Sequence, residues 1–161
     1  MSSATLAAHS GGWLSEGMED PAPPAVTTTL ADYSARLAFS ALPPEVVARA
    51  RLLFLDLAGS IIRAPLALKS PAVLRGATTA LGLGGGACRV LGDSQTWTPA
   101  GAALLNGAHG HALDFDDTHA RSTLHPGAPV IPAAFAAAQM AGASGADLIA
   151  GMVAGYDVTC R

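Results

Sequence analysis

The chain has 161 residues, of which 50% are apolar and 13% charged, and its net charge is -3 at pH 7. This length is sufficient for one domain with a buried core. The chain lacks the basic surface that nucleic acids and anionic membranes attract, so we expect neither as a partner.

The abundance of alanine and glycine favours an all-α fold. Alanine is the strongest helix former, and small side chains let helices approach closely. The only cysteines, Cys88 and Cys160, lie far apart in the sequence. This suits a reducing, cytoplasmic compartment, and two thiolates cannot by themselves hold an iron-sulfur cluster. The beginning of the chain has no pattern typical of a secretory signal.

The first predicted elements are a flexible tail and two helices. Residues 1–26 contain glycines and prolines and are expected to form the tail. Residues 27–29 can cap a first helix that reaches about Phe39. Residues 42–45, with two consecutive prolines, are predicted to end that helix and to start a longer one. The apolar face of the longer helix should consist of Val46, Val47, Ala50, Leu53, Leu57 and Ile61.

The middle of the chain has a glycine-rich segment, residues 82–86, between two further predicted helices. Ser70 is predicted to cap the helix before it, with proline in the first turn, and Thr98 is predicted to cap the helix after it in the same way. The segment lacks the Gly-Lys-Ser/Thr ending of a phosphate loop and the preceding strand of a dinucleotide site, so nucleotide binding is not expected. At most a short extended segment is expected, near residues 88–91.

Two more helices are predicted towards the C-terminus. Residues 126–146 carry no charge, but their prolines and glycines favour a buried helix over a membrane span. Residues 144–147 resemble a capping box with aspartate in place of glutamate, and the last helix should begin there. It reaches Arg161 without a stop signal, from which we expect residues 27–161 to be an incomplete helical domain of a larger protein.

One segment, residues 106–127, is dense in ionisable groups. It holds four of the five histidines and three aspartates of the chain. Burial of so many such groups is unfavourable, and packing alone does not explain it, so the segment indicates a functional site. Within it, His109 is expected to be structural and His119 to be solvated or to bond within a loop.

Helical spacing within this segment selects one group of residues. If the helix that starts after Thr98 persists, His111, Asp114 and Thr118 share a face. The pair Asp116 and Asp117 can instead cap a turn or bind the backbone of a loop before Pro126. In the same loop His125, directly before a proline, is biased to an extended conformation that can aim its imidazole into a cleft.

Two other kinds of site are compatible with parts of this segment. Histidine and aspartate are ligands for zinc, manganese and magnesium, but His109 and His111 diverge on a helix and no HExxH pattern is present. We therefore predict no metal. The Asp116-Asp117 pair resembles the aspartate-rich motif of helical isoprenoid synthases, but Arg121 stands where another acidic residue is expected.

Four motifs in the C-terminal half closely resemble the MmgE/PrpD family. In the family's order they are LNGAHGHALDFDDTH (105–119), HPGAPVIPAA (125–134), GASGADL (142–148) and VAGYDV (153–158). The resemblance spans about residues 27–161. The family includes 2-methylcitrate dehydratase, cis-aconitate decarboxylase and iminodisuccinate epimerase. The resemblance implies the N-terminal helical domain of that fold, truncated, and a homodimer.

The resemblance also implies a site that works without cofactor or metal. The family's reactions move a proton at a carbon next to a carboxylate of a small polycarboxylic acid. By similarity, the catalytic residues are Asp114, Thr118 and His125. We expect His125 to act as the acid/base group, Asp114 to orient it or to transfer a proton, and Thr118 to bind a substrate carboxylate. We expect His111 and Arg121 to contact the anionic substrate.

The expected function is therefore that of a hydro-lyase similar to the 2-methylcitrate dehydratase of propionate catabolism. A decarboxylase or an epimerase is the alternative within the family. In the relatives, further lysine and histidine groups of the site lie beyond the point where this chain ends. A second class of function is therefore an inactive helical fragment that acts only through association.

Overall fold

Residues 25–161 are described in the structure, a computed structural model, and they form six α-helices and one small antiparallel sheet. The helices are α1 (Ala25–Arg36), α2 (Pro44–Ala67), α3 (Ser70–Ala80), α4 (Pro99–His111), α5 (Gly127–Ala141) and α6 (Gly145–Thr159). The strands are β1 (Gly84–Arg89) and β2 (Thr96–Trp97), and a 3₁₀ turn occupies Phe39–Ala41. The predominance of helices confirms the predicted fold class.

Local signals start several helices where the sequence predicted. Proline lies in the first turn of α2, α3 and α4, where its fixed φ suits a helix and its missing N–H has no helical partner to lose. At α4 the Thr98 hydroxyl accepts a hydrogen bond from the backbone N–H of Gly101 at 3.1 Å. At α6 Ser144 and Asp147 form the predicted capping box. The Ser70 prediction was wrong in detail, because that residue lies inside α3 without capping it.

The N-terminal helix departs from its predicted bounds. It begins at Ala25, so residues 27–29 lie inside the helix rather than before it. Threonines are tolerated there because the first backbone N–H groups of a helix have no intrahelical partner. Phe39 belongs to the 3₁₀ turn and not to α1. Residues 1–24 of the predicted tail lie outside the described residues.

The sheet is larger than the extended segment predicted near residues 88–91. Strand β1 begins within the glycine-rich segment and pairs with β2, which was not predicted. A β-carbon at Gly86 would collide with backbone atoms of Trp97 and Thr98. Glycine therefore permits an approach of the two strands that any other residue would prevent. The register shifts between Gly84 and Cys88, which is how a bulge accommodates extra residues in one strand.

The core forms around α4, which packs on α2 and α5. One buried cluster joins α2, α5 and α6 and contains Ala50, Leu57, Ile61, Ile131 and Met152. A second joins the sheet to α4 and contains Cys88, Val90, Trp97, Ala102 and Leu105. The three α2 residues of the first cluster, Ala50, Leu57 and Ile61, belong to the predicted apolar face of that helix. Because α4 and α5 pack together, the end of the first and the start of the second are held close to each other.

Two further sequence predictions concern burial and thiols. Most of the uncharged segment 126–146 forms α5, and in the part of the chain that the structure describes no helix is long and apolar enough to cross a membrane. Both cysteines are free thiols, Cys88 buried and Cys160 half-buried.

On the outer face of α2, four large apolar side chains are exposed: Leu52, Leu55, Ile62 and Leu66.

Candidate functional site

Helix α4 ends at His111, so the predicted helical face of His111, Asp114 and Thr118 does not exist. The cause is local, because Asp114 has a φ of 56°. Left-handed backbone of this kind terminates helices. The N–H of Asp114 donates to the carbonyl oxygen of His111 at 3.0 Å. This turn, rather than a helical repeat, keeps the two residues close to each other.

Four side chains converge beyond this turn. His111, Asp114, Asp116 and His125 each offer a ring nitrogen or carboxylate oxygen, and these atoms lie within 4.8 Å of one another. We call these four residues the histidine-aspartate cluster. Three of them are site residues that the sequence predicted, and the fourth, Asp116, is not.

The carboxylate of Asp116 is the buried centre of the cluster. Its side chain has no exposed surface, whereas 53% of the His111 side chain and 31% of the His125 side chain are exposed. The Nδ1 atom of His111 lies 3.0 Å from Oδ2 of Asp116 and 3.1 Å from Oδ1. The Nδ1 atom of His125 lies 3.5 Å from Oδ1. A buried carboxylate requires such donors, because their loss leaves its charge unsolvated.

The two imidazoles contact each other as well as Asp116. Their ring centroids are 5.0 Å apart and their planes are inclined by 68°, an edge-on arrangement. Because the side chain of Asp116 is held by imidazole, the prediction that it binds loop backbone was wrong. The side chain was not free to cap a turn, since its burial places it against the two rings.

Asp117 binds backbone, as the sequence predicted for Asp116 and Asp117. Its Oδ1 accepts a hydrogen bond from the backbone N–H of Gly127 at 2.9 Å. Gly127 is the first residue of α5, and Pro126 before it provides no side-chain cap. A carboxylate from the far side of the loop therefore takes the place of the missing cap, where the helix dipole also favours negative charge.

Tyr156 of α6 lies beside this hydrogen bond. Its hydroxyl is buried beside Asp117 without a hydrogen bond of standard geometry. Burial, and then the negative charge of Asp117, raise the pKa of Tyr156 far above its ordinary value of 10. The phenol of Tyr156 therefore keeps its proton at pH values where an exposed tyrosine ionises.

The loop tip holds the remaining predicted residues. The N–H of His119 donates to the carbonyl of Leu124 at 2.8 Å, and its Nδ1 lies 2.6 Å from the Ser122 hydroxyl. His119 therefore bonds within the loop, as predicted. Thr118 and Arg121 are exposed. Within residues 25–161, neither makes a hydrogen bond or ion pair with the histidine-aspartate cluster.

His109 lies two residues before His111 but is not part of the cluster. It is buried and lines a separate cavity of about 570 Å³, together with Arg75 and Asp93. Burial lowers the pKa of His109 below 6.5, and the nearby Pro71 carbonyl offsets this only in part. A neutral, enclosed imidazole agrees with the structural role predicted for His109.

The geometry of the cluster permits two kinds of chemistry. A carboxylate next to Nδ1 of an imidazole leaves Nε2 as the group that exchanges protons with a substrate, which is the arrangement of many general bases. The same two histidines and two aspartates also have the donor types and spacing of a site for one divalent cation. In the general base, Nδ1 carries a proton directed at Asp116, whereas a metal bound at Nδ1 would need a lone pair on that nitrogen.

Sequence reasoning overlooked Asp116 because it assumed a helix. At a separation of five residues from His111, Asp116 does not share a helical face with it. Asp116 follows the left-handed Asp114 in irregular backbone, where neither helical nor strand periodicity applies, so no spacing pattern pointed to it.

Comparisons with known proteins agree with the motifs. A family model described as the MmgE/PrpD N-terminal domain matches residues 28–161. Cis-aconitate decarboxylase of Aspergillus terreus is 30% identical over 149 residues, which are 82% of this chain and 28% of that protein. The cis-aconitate decarboxylase-like protein oryM of Aspergillus oryzae is 30% identical over 148 residues, 84% of this chain and 29% of that protein. The chain thus spans less than a third of the length of these curated relatives. No solved structure matches significantly.

Proposed function

The chain belongs to the MmgE/PrpD family, and from this membership and the geometry of the histidine-aspartate cluster we propose lyase-type acid/base chemistry on a small polycarboxylic acid. One observation carries the proposal. A fully buried carboxylate, Asp116, faces the Nδ1 atoms of two partly exposed imidazoles, His111 and His125. Such a pairing prepares an imidazole for proton transfer at the surface of the site.

The chemistry needs one group that holds and releases a proton and others that bind carboxylates. In dehydration, a base removes a proton from the carbon next to a carboxylate, and the leaving hydroxide takes up a proton to become water. In decarboxylation, carbon dioxide leaves and the carbon that receives its electron pair takes a proton from an acid. We assign proton transfer at the substrate carbon to His125. Asp114 is then the exposed carboxylate that orients the imidazole or shares the proton.

Two further residues of the loop are proposed to bind the substrate. Thr118 and Arg121 are exposed and are free to turn towards an anion at the cluster. A guanidinium binds carboxylate with two parallel hydrogen bonds, and a hydroxyl donates one. The partly exposed His111 would present its Nε2 to the same anion.

Two substrates satisfy this chemistry, and the relatives favour one of them. The relatives are named cis-aconitate decarboxylase and a protein like it, which supports cis-aconitate and loss of carbon dioxide. The dehydration of 2-methylcitrate, expected from the sequence, is the second candidate, since the same proton transfer serves it. Both are small polycarboxylates, and neither requires a cofactor in this proposal.

The test is to measure the turnover of cis-aconitate and of 2-methylcitrate by proton NMR. His125→Gln and Asp114→Asn should each lower turnover by about 10²-fold or more, the usual contribution of general acid/base catalysis. His119→Gln is the matched histidine control, because that ring bonds to Ser122 within the loop, and it should retain turnover. Parent-like turnover in His125→Gln would refute the assignment.

Association alone is the second candidate function. The exposed apolar side chains on α2 favour it, since exposed apolar surface of this kind is typical of interfaces. Absence of turnover with both acids in the parent chain would support this candidate. We also propose a homodimer, as the family resemblance implies, and sedimentation equilibrium measures it directly.

A further inference from the structure

We propose that Asp116 is a positioning residue that holds His111 and His125 in the tautomer with the proton on Nδ1, so that Nε2 of each ring is the free proton acceptor. The inference deepens the proposed function and rests on it for its catalytic consequence. The tautomers themselves are a property of the folded chain and do not depend on any substrate.

The first step of the argument is the burial of Asp116. Its side chain is fully buried, so water cannot satisfy its oxygens. An ionised carboxylate only accepts hydrogen bonds. Each group that approaches it must therefore donate, and the nitrogens that approach it are Nδ1 of His111 at 3.0 Å and Nδ1 of His125 at 3.5 Å.

The second step concerns His125, whose Nδ1 is buried and has no hydrogen-bond partner of standard geometry in the described chain. This nitrogen faces Oδ1 of Asp116 at 3.5 Å. If this nitrogen carried a lone pair instead of a proton, the lone pair would face the negative charge of a buried carboxylate. That repulsion disfavours the tautomer with the proton on Nε2, although this form predominates in free neutral histidine.

The third step shows that neither neighbouring carboxylate, Asp114 or Asp117, can hold the imidazole rings as Asp116 does. Asp114 belongs to the histidine-aspartate cluster but is exposed, so water competes for its oxygens and weakens its hold on either ring. Asp117 is engaged by the backbone N–H of Gly127. Asp116 alone of the three combines burial with imidazole nitrogens at short distance, and its effect on the rings should be separable from theirs.

The experiment is nitrogen NMR of the histidine rings in the uniformly ¹⁵N-labelled chain at about pH 8.5, well above the ordinary histidine pKa. His111→Gln and His125→Gln assign the two sets of signals. In the parent, both rings should show the proton on Nδ1. A ring of His125 with its proton on Nε2, or a doubly protonated ring at this pH, would overturn the proposal without the need for any further variant.

Asp116→Asn then tests the cause. The carboxamide has one acceptor oxygen and a donor NH₂, so at least one imidazole should change to the tautomer with its proton on Nε2. The matched control is Asp117→Asn, which keeps an acceptor for Gly127 and should leave both tautomers as in the parent. Unchanged tautomers in a folded Asp116→Asn variant, judged by its backbone amide spectrum, would refute a positioning role.

Turnover separates this proposal from the function proposed above. With active parent protein, Asp116→Asn should lower kcat by about 10²-fold to 10⁴-fold, the range seen when an imidazole loses the carboxylate that orients it. KM should change much less, because Asp116 is buried and does not contact substrate. If the parent turns over neither acid but the tautomers are as described, the proposed function fails while the positioning role of Asp116 stands.

Discussion

The side chain of Asp117 accepts a hydrogen bond from the backbone N–H of Gly127 at 2.9 Å and so closes the loop that carries His125. The two residues are ten positions apart, and the bond joins the segment that follows α4 to the first turn of α5. Because Pro126 provides no side-chain cap, this hydrogen bond positions the loop and stabilises the helix at once.

Removal of this cap should destabilise the fold. We expect Asp117→Ala to lower the free energy of unfolding by about 1 to 2 kcal/mol, as loss of a helix cap does. Asp117→Asn should lower it less, since the amide oxygen still accepts from Gly127. Urea denaturation measures both. Asp32→Ala in α1, where the side chain is exposed, is the surface control, and equal stability of Asp117→Ala and the parent would contradict the capping role.

A methyl group at Gly127 should disrupt the same closure. A β-carbon there would meet the Asp117 carboxylate and lie 2.9 Å from the Tyr156 hydroxyl. We expect Gly127→Ala to lower the unfolding free energy by about 1 to 3 kcal/mol, as overpacking does. The matched variant is Gly145→Ala, also at the first position of a helix, where an added β-carbon would meet no atom within 4 Å. It should be neutral or stabilising, and a similar loss in both variants would show that the crowding is not the cause.

Buried His109 should make the fold sensitive to acid. Burial lowers its pKa from the ordinary 6.5, so below pH 6.5 the unfolded chain binds a proton that the folded chain does not. The contribution of neutral His109 to the free energy of unfolding is therefore fully present above pH 6.5, and it is lost as the pH falls towards the lowered pKa. His109→Leu should lose less stability between pH 8 and pH 5 than the parent, measured by urea denaturation at each pH. Identical losses in the two proteins would contradict this account.

The cluster should not retain a metal ion. Its four donors lie within 4.8 Å of one another, but in the proposed arrangement Nδ1 of each ring donates its proton to Asp116, so a cation cannot use Asp116 and these Nδ1 atoms together as ligands. We expect purified protein to contain well under one zinc, manganese or iron per chain by mass spectrometry of the elements. A stoichiometric metal that disappears in His125→Gln and remains in His119→Gln would instead identify a metal centre.

Those features that depend on neighbouring residues could be read from the sequence. Thr98 caps α4 and Ser144 caps α6, because a side chain and the N–H groups it accepts from lie within one turn. The family motifs likewise indicated Asp114 and His125, and the reasoning from helical spacing added His111; the structure brings these three residues together.

Features that depend on contacts across the fold were missed for a physical reason. Strand β2 is only two residues long, too short for a periodic pattern, and it exists because Gly86 lets it approach β1. Asp116 is buried after the turn at Asp114, where the chain leaves the path of helix α4. No helical spacing encodes that departure, so the residue at the centre of the cluster was assigned to the loop.

Under the proposed function, the left-handed backbone of Asp114, with φ at 56°, sets folding and chemistry against each other at one position. Glycine adopts this conformation without the steric strain that a β-carbon introduces. Selection for thermal stability alone would therefore favour glycine there, yet the chain keeps a carboxylate. Asp114→Gly should melt at or above the temperature of the parent while it loses turnover, a trade between robustness and activity that is confined to a single turn.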